Sequence, residues 1–248
     1  LGSGEIDPQA NADAGDAFES GGTANAIAPA NASPTGNLLT NDTHGKLVAN
    51  VADTWGTEDG GLTWKFHIRD GIKWVDYQGN EMADVTAEDW LWGLEWVLNF
   101  WKNDSTNTSM PIEMIAGAED YYNYTKGTTA DSTPEEVAAF EAICTKYGLS
   151  TTTPLTEDEA KALKLDVFSK MVGIEAPDKN TLIYHCVGTL PYFDTVATYG
   201  CLYPACGALI EKLGVDGFKA CTYDTMWYSG PYTITAYTQG NEKVLTKN

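Results

Sequence analysis

The clearest alternation of hydrophobic and polar positions in this chain lies between residues 62 and 69. Apolar side chains occupy every second position there, at Leu62, Trp64, Phe66 and Ile68. Because successive side chains of a β-strand point to opposite faces, this pattern predicts a strand that is buried on one face. His67 falls on the polar face, and Asp70-Gly71 predicts a turn into a second extended run at residues 72–75.

Three later segments have the periodicity of amphipathic helices. Residues 86–103 begin with Thr-Ala-Glu-Asp, a capping box with Asp in place of the usual Glu, and their apolar residues recur at steps of three and four. Thr-Pro-Glu-Glu opens a second helix at residues 133–148, which a glycine ends. A third helix is predicted for residues 156–171. We interpret the tryptophans of the first helix as core residues, namely Trp90, Trp96 and Trp101.

The C-terminal part of the chain mixes strand and helix signals. Strands are predicted for residues 181–187, 232–237 and 243–246, and a Gly240-Asn241 hairpin turn joins the last two. Residues 206–213 predict a short helix. Strands interspersed with capped helices indicate an α/β or α+β class.

Composition and charge narrow the functional classes. The 248 residues are 43% hydrophobic and carry a formal net charge of −20, so the chain can bury a core while its surface repels phosphate backbones and anionic membranes. We therefore expect no nucleic-acid partner. No run approaches the roughly 20 apolar residues that span a bilayer. The start, Leu1-Gly2-Ser3, lacks the basic segment of a signal peptide, and we expect it to begin either a cut piece of a longer chain or a mature segment.

No motif in the sequence indicates catalysis. The nucleophile elbow GxSxG, the phosphate loop GxxxxGK[ST] and the dinucleotide fingerprint GxGxxG are all missing from it. The three histidines lack zinc-ligand spacing, so we expect no metal and no cofactor. An odd count of five cysteines leaves at least one thiol outside any disulfide within the chain, and Cys201 and Cys206 are close enough in sequence to bridge.

Two other functional classes remain open at this point. A secreted glycan-binding module would present several exposed aromatic side chains in a row, and we expect Trp90, Trp96 and Trp101 not to form one. A carboxylate-based hydrolase would bring two acids together in a pocket at roughly 5 to 10 Å. With 35 acidic residues in the chain, no pair stands out from the sequence.

Six short motifs nevertheless resemble those of one known family. Residues 60–74, GGLTWKFHIRDGIKW, are similar to the signature dGltwtFhLrdgvkWsDG of the bacterial extracellular solute-binding proteins of the peptide and nickel class, the capture subunits of ABC importers. The other matches follow in the family's order: Val85–Asp89 with vTAeD, Ile174–Leu182 with veapDdyTv, Leu190–Phe193 with lPyf, Ser229–Tyr232 with GtGPYk, and Val244–Asn248 with vlekN. The chain departs from the family in an extra stretch at residues 77–82 and in residues 18–36, which lack the usual apolar helix.

The resemblance implies an α/β fold in which a mixed sheet with flanking helices forms one lobe of a two-lobed, periplasmic-binding-protein-like architecture. Residues 1–50 and 173–248 would form the core-sheet part of this lobe. Residues 51–172 would form an inserted peripheral α+β subdomain, with the strand at 62–69 as part of its scaffold. The second ligand-binding lobe is expected outside this chain.

The resemblance also implies a function without catalytic residues. The receptor would capture peptides for an ABC importer, with permease subunits as partners, in the periplasm or at the cell surface on a lipid anchor outside this chain. The lobes of such receptors close on an extended peptide, whose backbone pairs with main-chain groups like an added strand. A dipeptide, nickel or a glycan remains open as the ligand.

Three places in this chain would contact the ligand by their position in the family's pattern. The first is a loop near the N-terminus with Asn11, Ala12 and Asp13. The second is a loop at residues 107–110, with Asn107, Ser109 and Met110. The third is an aromatic region that consists of Tyr199 and Tyr203 together with Trp227 and Tyr228.

Overall fold

The structure is a computed structural model that describes residues 35–103, 108–150 and 154–248. Within these residues the strands are β1 (Leu39–Asn41), β2 (Leu47–Ala49), β3 (Ala52–Gly56), β4 (Thr63–Ile68), β5 (Lys73–Val75), β6 (Glu81–Asp84), β7 (Ile174–Asp178), β8 (Thr181–His185), β9 (Tyr232–Thr238) and β10 (Glu242–Lys247). The helices are α1 (Glu88–Leu98), α2 (Ser109–Met114), α3 (Ala118–Lys126), α4 (Pro134–Tyr147), α5 (Glu157–Lys161), α6 (Leu165–Met171), α7 (Phe193–Val196) and α8 (Gly207–Lys219). The expected α/β class is confirmed.

A four-stranded antiparallel sheet with the order β3-β4-β8-β7 forms the centre of the described fold. The remaining strands form three antiparallel pairs, β1 with β2, β5 with β6 and β9 with β10. The proposed boundary between the peripheral and core-sheet parts, at residues 172/173, stays a prediction. Strands β3 and β4 of the central sheet come before this boundary, and β7 and β8 come after it.

Strand β4 has the alternation that its sequence predicts. Trp64, Phe66 and Ile68 are buried, whereas Lys65 and His67 are exposed. Leu62 departs from the expectation, since it precedes the strand and is 44% exposed. The indole Nε1 of Trp64 donates a hydrogen bond of 3.0 Å to the carbonyl of Leu190, so this tryptophan has a structural role.

Helix α1 is buried on every side, and its aromatic residues pack in the core. Trp90, Trp92 and Trp96 are all buried. The helix ends at Leu98 and not at the predicted residue 103, because the backbone of Asn99 is extended, with φ −77° and ψ 113°.

Helix α4 agrees with its local signals, whereas the predicted helix at residues 156–171 is wrong as a single element. Thr133 and Glu136 form the capping box of α4, and Gly148 ends it in the left-handed conformation. In place of one helix at 156–171 the chain forms α5 and α6, separated by Lys164 in an extended conformation. The break leaves the carbonyl of Leu163 to accept a 2.8 Å hydrogen bond from the buried ammonium of Lys102.

Helix α8 is longer than the predicted residues 206–213. It runs to Lys219, but Gly214, with φ 71° and ψ 174°, interrupts its helical backbone. A left-handed φ of this kind is accessible to glycine at little energetic cost. The sequence prediction therefore stopped at the interruption. No helix among the described residues is long and apolar enough to cross a membrane.

Candidate ligand-binding surface

The aromatic segment at residues 199–207 lies directly against helix α1. A Cβ atom on Gly93 would come within 2.1 Å of the carbonyl oxygen of Tyr203, so only glycine permits this approach. The amide of Ala205 donates a 3.0 Å hydrogen bond to the carbonyl of Asp89. A rigid, buried helix therefore sets the path of the segment that carries Tyr199 and Tyr203.

The two tyrosines of this segment differ in their access to solvent. Tyr199 is 53% exposed and stands immediately before a 3-10 turn, Gly200–Leu202. Tyr203, directly after the turn, is buried. Of the two predicted contact residues, Tyr199 is thus the one whose ring a ligand can reach in the described structure.

In the structure, the predicted contact region at residues 107–110 lies next to the predicted aromatic region that contains Tyr199. Ser109 and Met110 form the first turn of α2, and Met110 Sδ lies 3.7 Å from Cys201 Sγ in the 3-10 turn after Tyr199. Ser109 is exposed and Met110 is partly exposed. Met110 and Cys201 are 91 residues apart in sequence. The contact between them therefore places the two predicted regions on one part of the surface. Asn107 lies outside the described residues.

Trp227 and Tyr228 have different environments although they are adjacent. The backbone of Tyr228 exchanges hydrogen bonds of 2.8 and 2.7 Å with Val75 of β5, and its buried hydroxyl donates to the carbonyl of Tyr223. Trp227 is partly exposed, and the ammonium of Lys212 lies 5.4 Å from its ring centroid, within cation–π range. Tyr228 thus supports the fold, and Trp227 is the more accessible of the pair.

The N-terminal place of the prediction, with Asn11, Ala12 and Asp13, lies outside the described residues. Gly36 lies next to the Trp227-Tyr228 pair, because its amide donates a 3.0 Å hydrogen bond to Ser229 Oγ. A Cβ on Gly36 would lie only 2.9 Å from the carbonyl of Ser229. The two segments can therefore pack this closely because residue 36 has no side chain.

Asp89 is the buried carboxyl group at the centre of these contacts. Its Oδ1 accepts a hydrogen bond of 3.1 Å from the amide of Gly207, and its Oδ2 accepts hydrogen bonds from the indole of Trp74 at 3.0 Å and from the amide of Thr86 at 2.9 Å. Burial raises the pKa of Asp89 to about 6, against the effect of these three donors.

Sequence reasoning missed this role, because it interpreted Asp89 only as a charge at a helix start. A usable signal was present. Trp74 and the tryptophans that follow Asp89 in α1 predict a buried environment, and a buried indole N–H usually has an acceptor, as that of Trp74 has here. An acidic residue next to Trp90 in an otherwise apolar helix was therefore a candidate for that acceptor.

The other chemical expectations concern thiols, metals and exposed aromatic rings. No disulfide joins any of the five cysteines, all of which lie in the described ranges and are buried. The pairing that the sequence left open, including a bridge between Cys201 and Cys206, is therefore absent from this structure. No group of three or more His, Cys, Asp or Glu side chains suited to a metal ion occurs among the described residues. Trp90 and Trp96 are buried and Trp101 is partly buried, so these three rings form no exposed row, as expected.

Comparisons with known proteins agree on one family. The sequence matches the model of the "Bacterial extracellular solute-binding proteins, family 5 Middle" over residues 46–248. The oligopeptide-binding protein SarA of Streptococcus gordonii is 26% identical over 211 residues, which cover 85% of this chain and 25% of the relative. The oligopeptide-binding protein AmiA of Streptococcus pneumoniae is likewise 26% identical over 211 residues, with 85% of this chain and 26% of the relative covered.

A comparison of folds finds the same architecture in a solved structure. A periplasmic oligopeptide-binding protein of an oligopeptide ABC transporter from Borrelia burgdorferi superimposes with a TM-score of 0.59 at 22% identity, over 86% of this chain and 33% of that structure. At this identity the likeness shows a shared fold. The chain spans about a quarter of the length of the curated relatives named above.

Proposed function

Because the chain belongs to the bacterial extracellular solute-binding proteins of family 5, we propose that it captures peptides for an ABC importer as part of a two-lobed receptor. The match to the family model over residues 46–248 carries this proposal. Relatives named as oligopeptide-binding proteins support peptides as the ligand class.

The surface that would receive the peptide is the region where α2 meets the 3-10 turn. It combines a half-exposed tyrosine, Tyr199, with the exposed hydroxyl of Ser109 and the flexible, partly exposed thioether of Met110. Aromatic and thioether groups adapt to many side chains, and a peptide ligand offers the same backbone whatever its sequence. This chemistry suits a receptor that accepts peptides of varied sequence.

The proposed partners and location follow from the same class of protein. Permease subunits of the importer would bind the loaded receptor, and the receptor would work outside the cytoplasmic membrane, in the periplasm or on a lipid anchor. Asn11, Ala12, Asp13 and Asn107 remain candidate contacts. Residues 1–50 with 173–248 remain the proposed core-sheet part of the lobe, and residues 51–172 the proposed peripheral part.

We predict that Tyr199→Ala weakens peptide binding about tenfold, because a partly buried aromatic contact contributes on the order of 1 to 2 kcal/mol. The measurement is calorimetric titration. The protein, expressed from its complete reading frame, is titrated first with a pool of neutral pentapeptides and then with the peptide of that pool that binds best. Free amino acids and Ni²⁺ are titrated in parallel as competing ligand classes.

The matched control is Tyr192→Ala, since Tyr192 is 50% exposed and lies outside the proposed contact surface. It is expected to bind peptides as the unaltered protein does. Equal losses of peptide affinity in the two variants would show that Tyr199 does not contact the ligand. Binding of Ni²⁺ or amino acids without any binding of peptides would overturn the proposed ligand class.

A further inference from the structure

Asp89 connects helix α1 to the backbone that follows Tyr199 and Tyr203. Its side-chain Oδ1 accepts from the amide of Gly207, and its backbone carbonyl accepts from the amide of Ala205. Gly207 also packs on the ring of Trp92 so closely that a Cβ there would lie 2.3 Å from the indole Nε1. One residue of α1 thus holds the end of the 199–207 segment by two hydrogen bonds.

The same carboxyl group is connected to the Trp227-Tyr228 pair through strand β5. Its Oδ2 accepts from the indole of Trp74, and the next residue, Val75, exchanges two backbone hydrogen bonds with Tyr228. The 199–207 segment and the Trp227-Tyr228 pair, which are separate in sequence, are therefore both connected to Asp89.

We propose that Asp89 is a positioning residue, which fixes the 199–207 segment relative to Trp227-Tyr228 and so makes ligand binding depend on the protonation of one buried carboxyl group. The inference rests on the proposed peptide-binding function. Asp89 itself is buried and acts through the segments that it holds.

Protonation changes this arrangement because all three of its side-chain partners are donors. The ionised carboxylate accepts from Gly207, Trp74 and Thr86 together. Protonation removes the negative charge that strengthens all three hydrogen bonds. Oδ1 has one donor and Oδ2 has two, so the free acceptor site for the proton is on Oδ1, beside the hydrogen bond from Gly207. The attachment of the 199–207 segment to Asp89 is therefore weakened.

The charged and titratable groups around Asp89 do not stabilise its ionised form. Glu88 on the same helix repels it, and the Cys206 thiol at the start of α8 has a pKa raised to about 12 by burial first and by Asp89 second. Lys73 of β5 is salt-bridged to Glu81 and Asp84. No salt bridge to Asp89 occurs within residues 35–103, 108–150 and 154–248. With its pKa raised to about 6, the group changes charge in the range of mildly acidic surroundings.

The test is the pH profile of peptide affinity, with Asp89→Asn as the variant. The best-binding neutral pentapeptide is titrated between about pH 5 and about pH 7, where its own termini keep their charges. We expect the unaltered protein to bind about fivefold more weakly at the acidic end, the factor that one net hydrogen bond carries. Asp89→Asn should bind weakly at both ends, because its amide group presents a donor as the protonated acid does.

Two further variants keep the test decisive. Glu88→Gln alters an exposed neighbour in the same helical turn and removes only the smallest of the effects on the Asp89 pKa, so it should keep the pH dependence, with its midpoint moved slightly to lower pH. Trp74→Phe removes one donor and keeps the carboxyl group, so the midpoint of the binding profile should move to higher pH, and this result stands even where Asp89→Asn fails to fold.

The outcomes separate this inference from the proposed function. A peptide affinity that is the same at both pH values, or a profile that Trp74→Phe leaves unmoved, would overturn the role of Asp89 while peptide capture stands. If the unaltered protein binds no peptide at any pH, the proposed function fails and the inference fails with it.

Discussion

Glu95 and Lys102 form an ion pair in the core, where charges are costly unless every polar atom has a partner. Both side chains are almost completely buried, and the ammonium lies 2.8 Å from Glu95 Oε2. The hydroxyl of Tyr121 and the amide of Asn99 donate to Glu95 Oε1. The network is thus satisfied from α1, the turn after it and α3, which explains how two charges persist inside an apolar cluster.

We predict that Lys102→Met lowers the free energy of unfolding by about 3 to 5 kcal/mol, because it leaves the Glu95 carboxylate buried without its counter-ion. The double variant with Glu95→Gln should lose less than Lys102→Met alone, since the neutral amide still accepts from Tyr121 and Asn99. Urea unfolding of the two single variants and the double variant measures this. Losses that simply add would contradict a buried, coupled pair.

At the scale of elements, helix α1 acts as the template for the segment that carries the candidate site. Intrinsic propensity and tertiary packing make opposite demands at Gly93. Alanine favours a helix interior by about 1 kcal/mol over glycine. The carbonyl of Tyr203, however, would lie 2.1 Å from the added Cβ, which is far inside van der Waals contact with backbone. Packing should therefore decide the outcome.

We predict that Gly93→Ala destabilises the protein by about 3 kcal/mol, because α1 and residues 203–205 must move apart. The control is Gly188→Ala, where a Cβ would meet nothing within 4 Å. Thermal or urea unfolding compares the two variants. An increase in stability for Gly93→Ala would show that helix propensity prevails and that the close approach to Tyr203 is absent in solution.

At the scale of the whole molecule, the net charge of −20 arises mostly from acidic residues at the surface, and Asp89 is a buried exception. Its folded pKa of about 6 exceeds 3.8, the ordinary pKa of an aspartate side chain. The folded state therefore binds the proton more tightly than the unfolded state. By linkage, the contribution of Asp89 to stability is greatest below the unfolded pKa and is lost as pH rises through the folded pKa.

We predict that the difference in unfolding free energy between the unaltered protein and Asp89→Asn falls by about 2 kcal/mol from about pH 4 to about pH 7. Urea titrations of both proteins across this range measure the difference, in which the shared effects of the surface carboxylates cancel. A difference that stays constant, or rises with pH, would mean that the hydrogen bonds to Asp89 outweigh the effect of its burial.

Elements whose signals are local could be predicted from the sequence alone. Alternation at Trp64, Phe66 and Ile68 predicted β4, and the capping box and terminal glycine of residues 133–148 predicted α4, because pleat and cap depend on neighbours within a few positions. Six motifs in order also predicted the family. The candidate contacts came from that resemblance and remain predictions.

Contacts between residues far apart in sequence could be identified only from the folded structure. The break between α5 and α6 is occupied by Lys102 from another part of the chain, and Met110 lies against Cys201. Asp89 proved to be the acceptor shared by Trp74, Thr86 and Gly207. Such contacts depend on burial and on the geometry of donors and acceptors that are far apart in sequence. The periodicity of residues along the chain predicts neither of these.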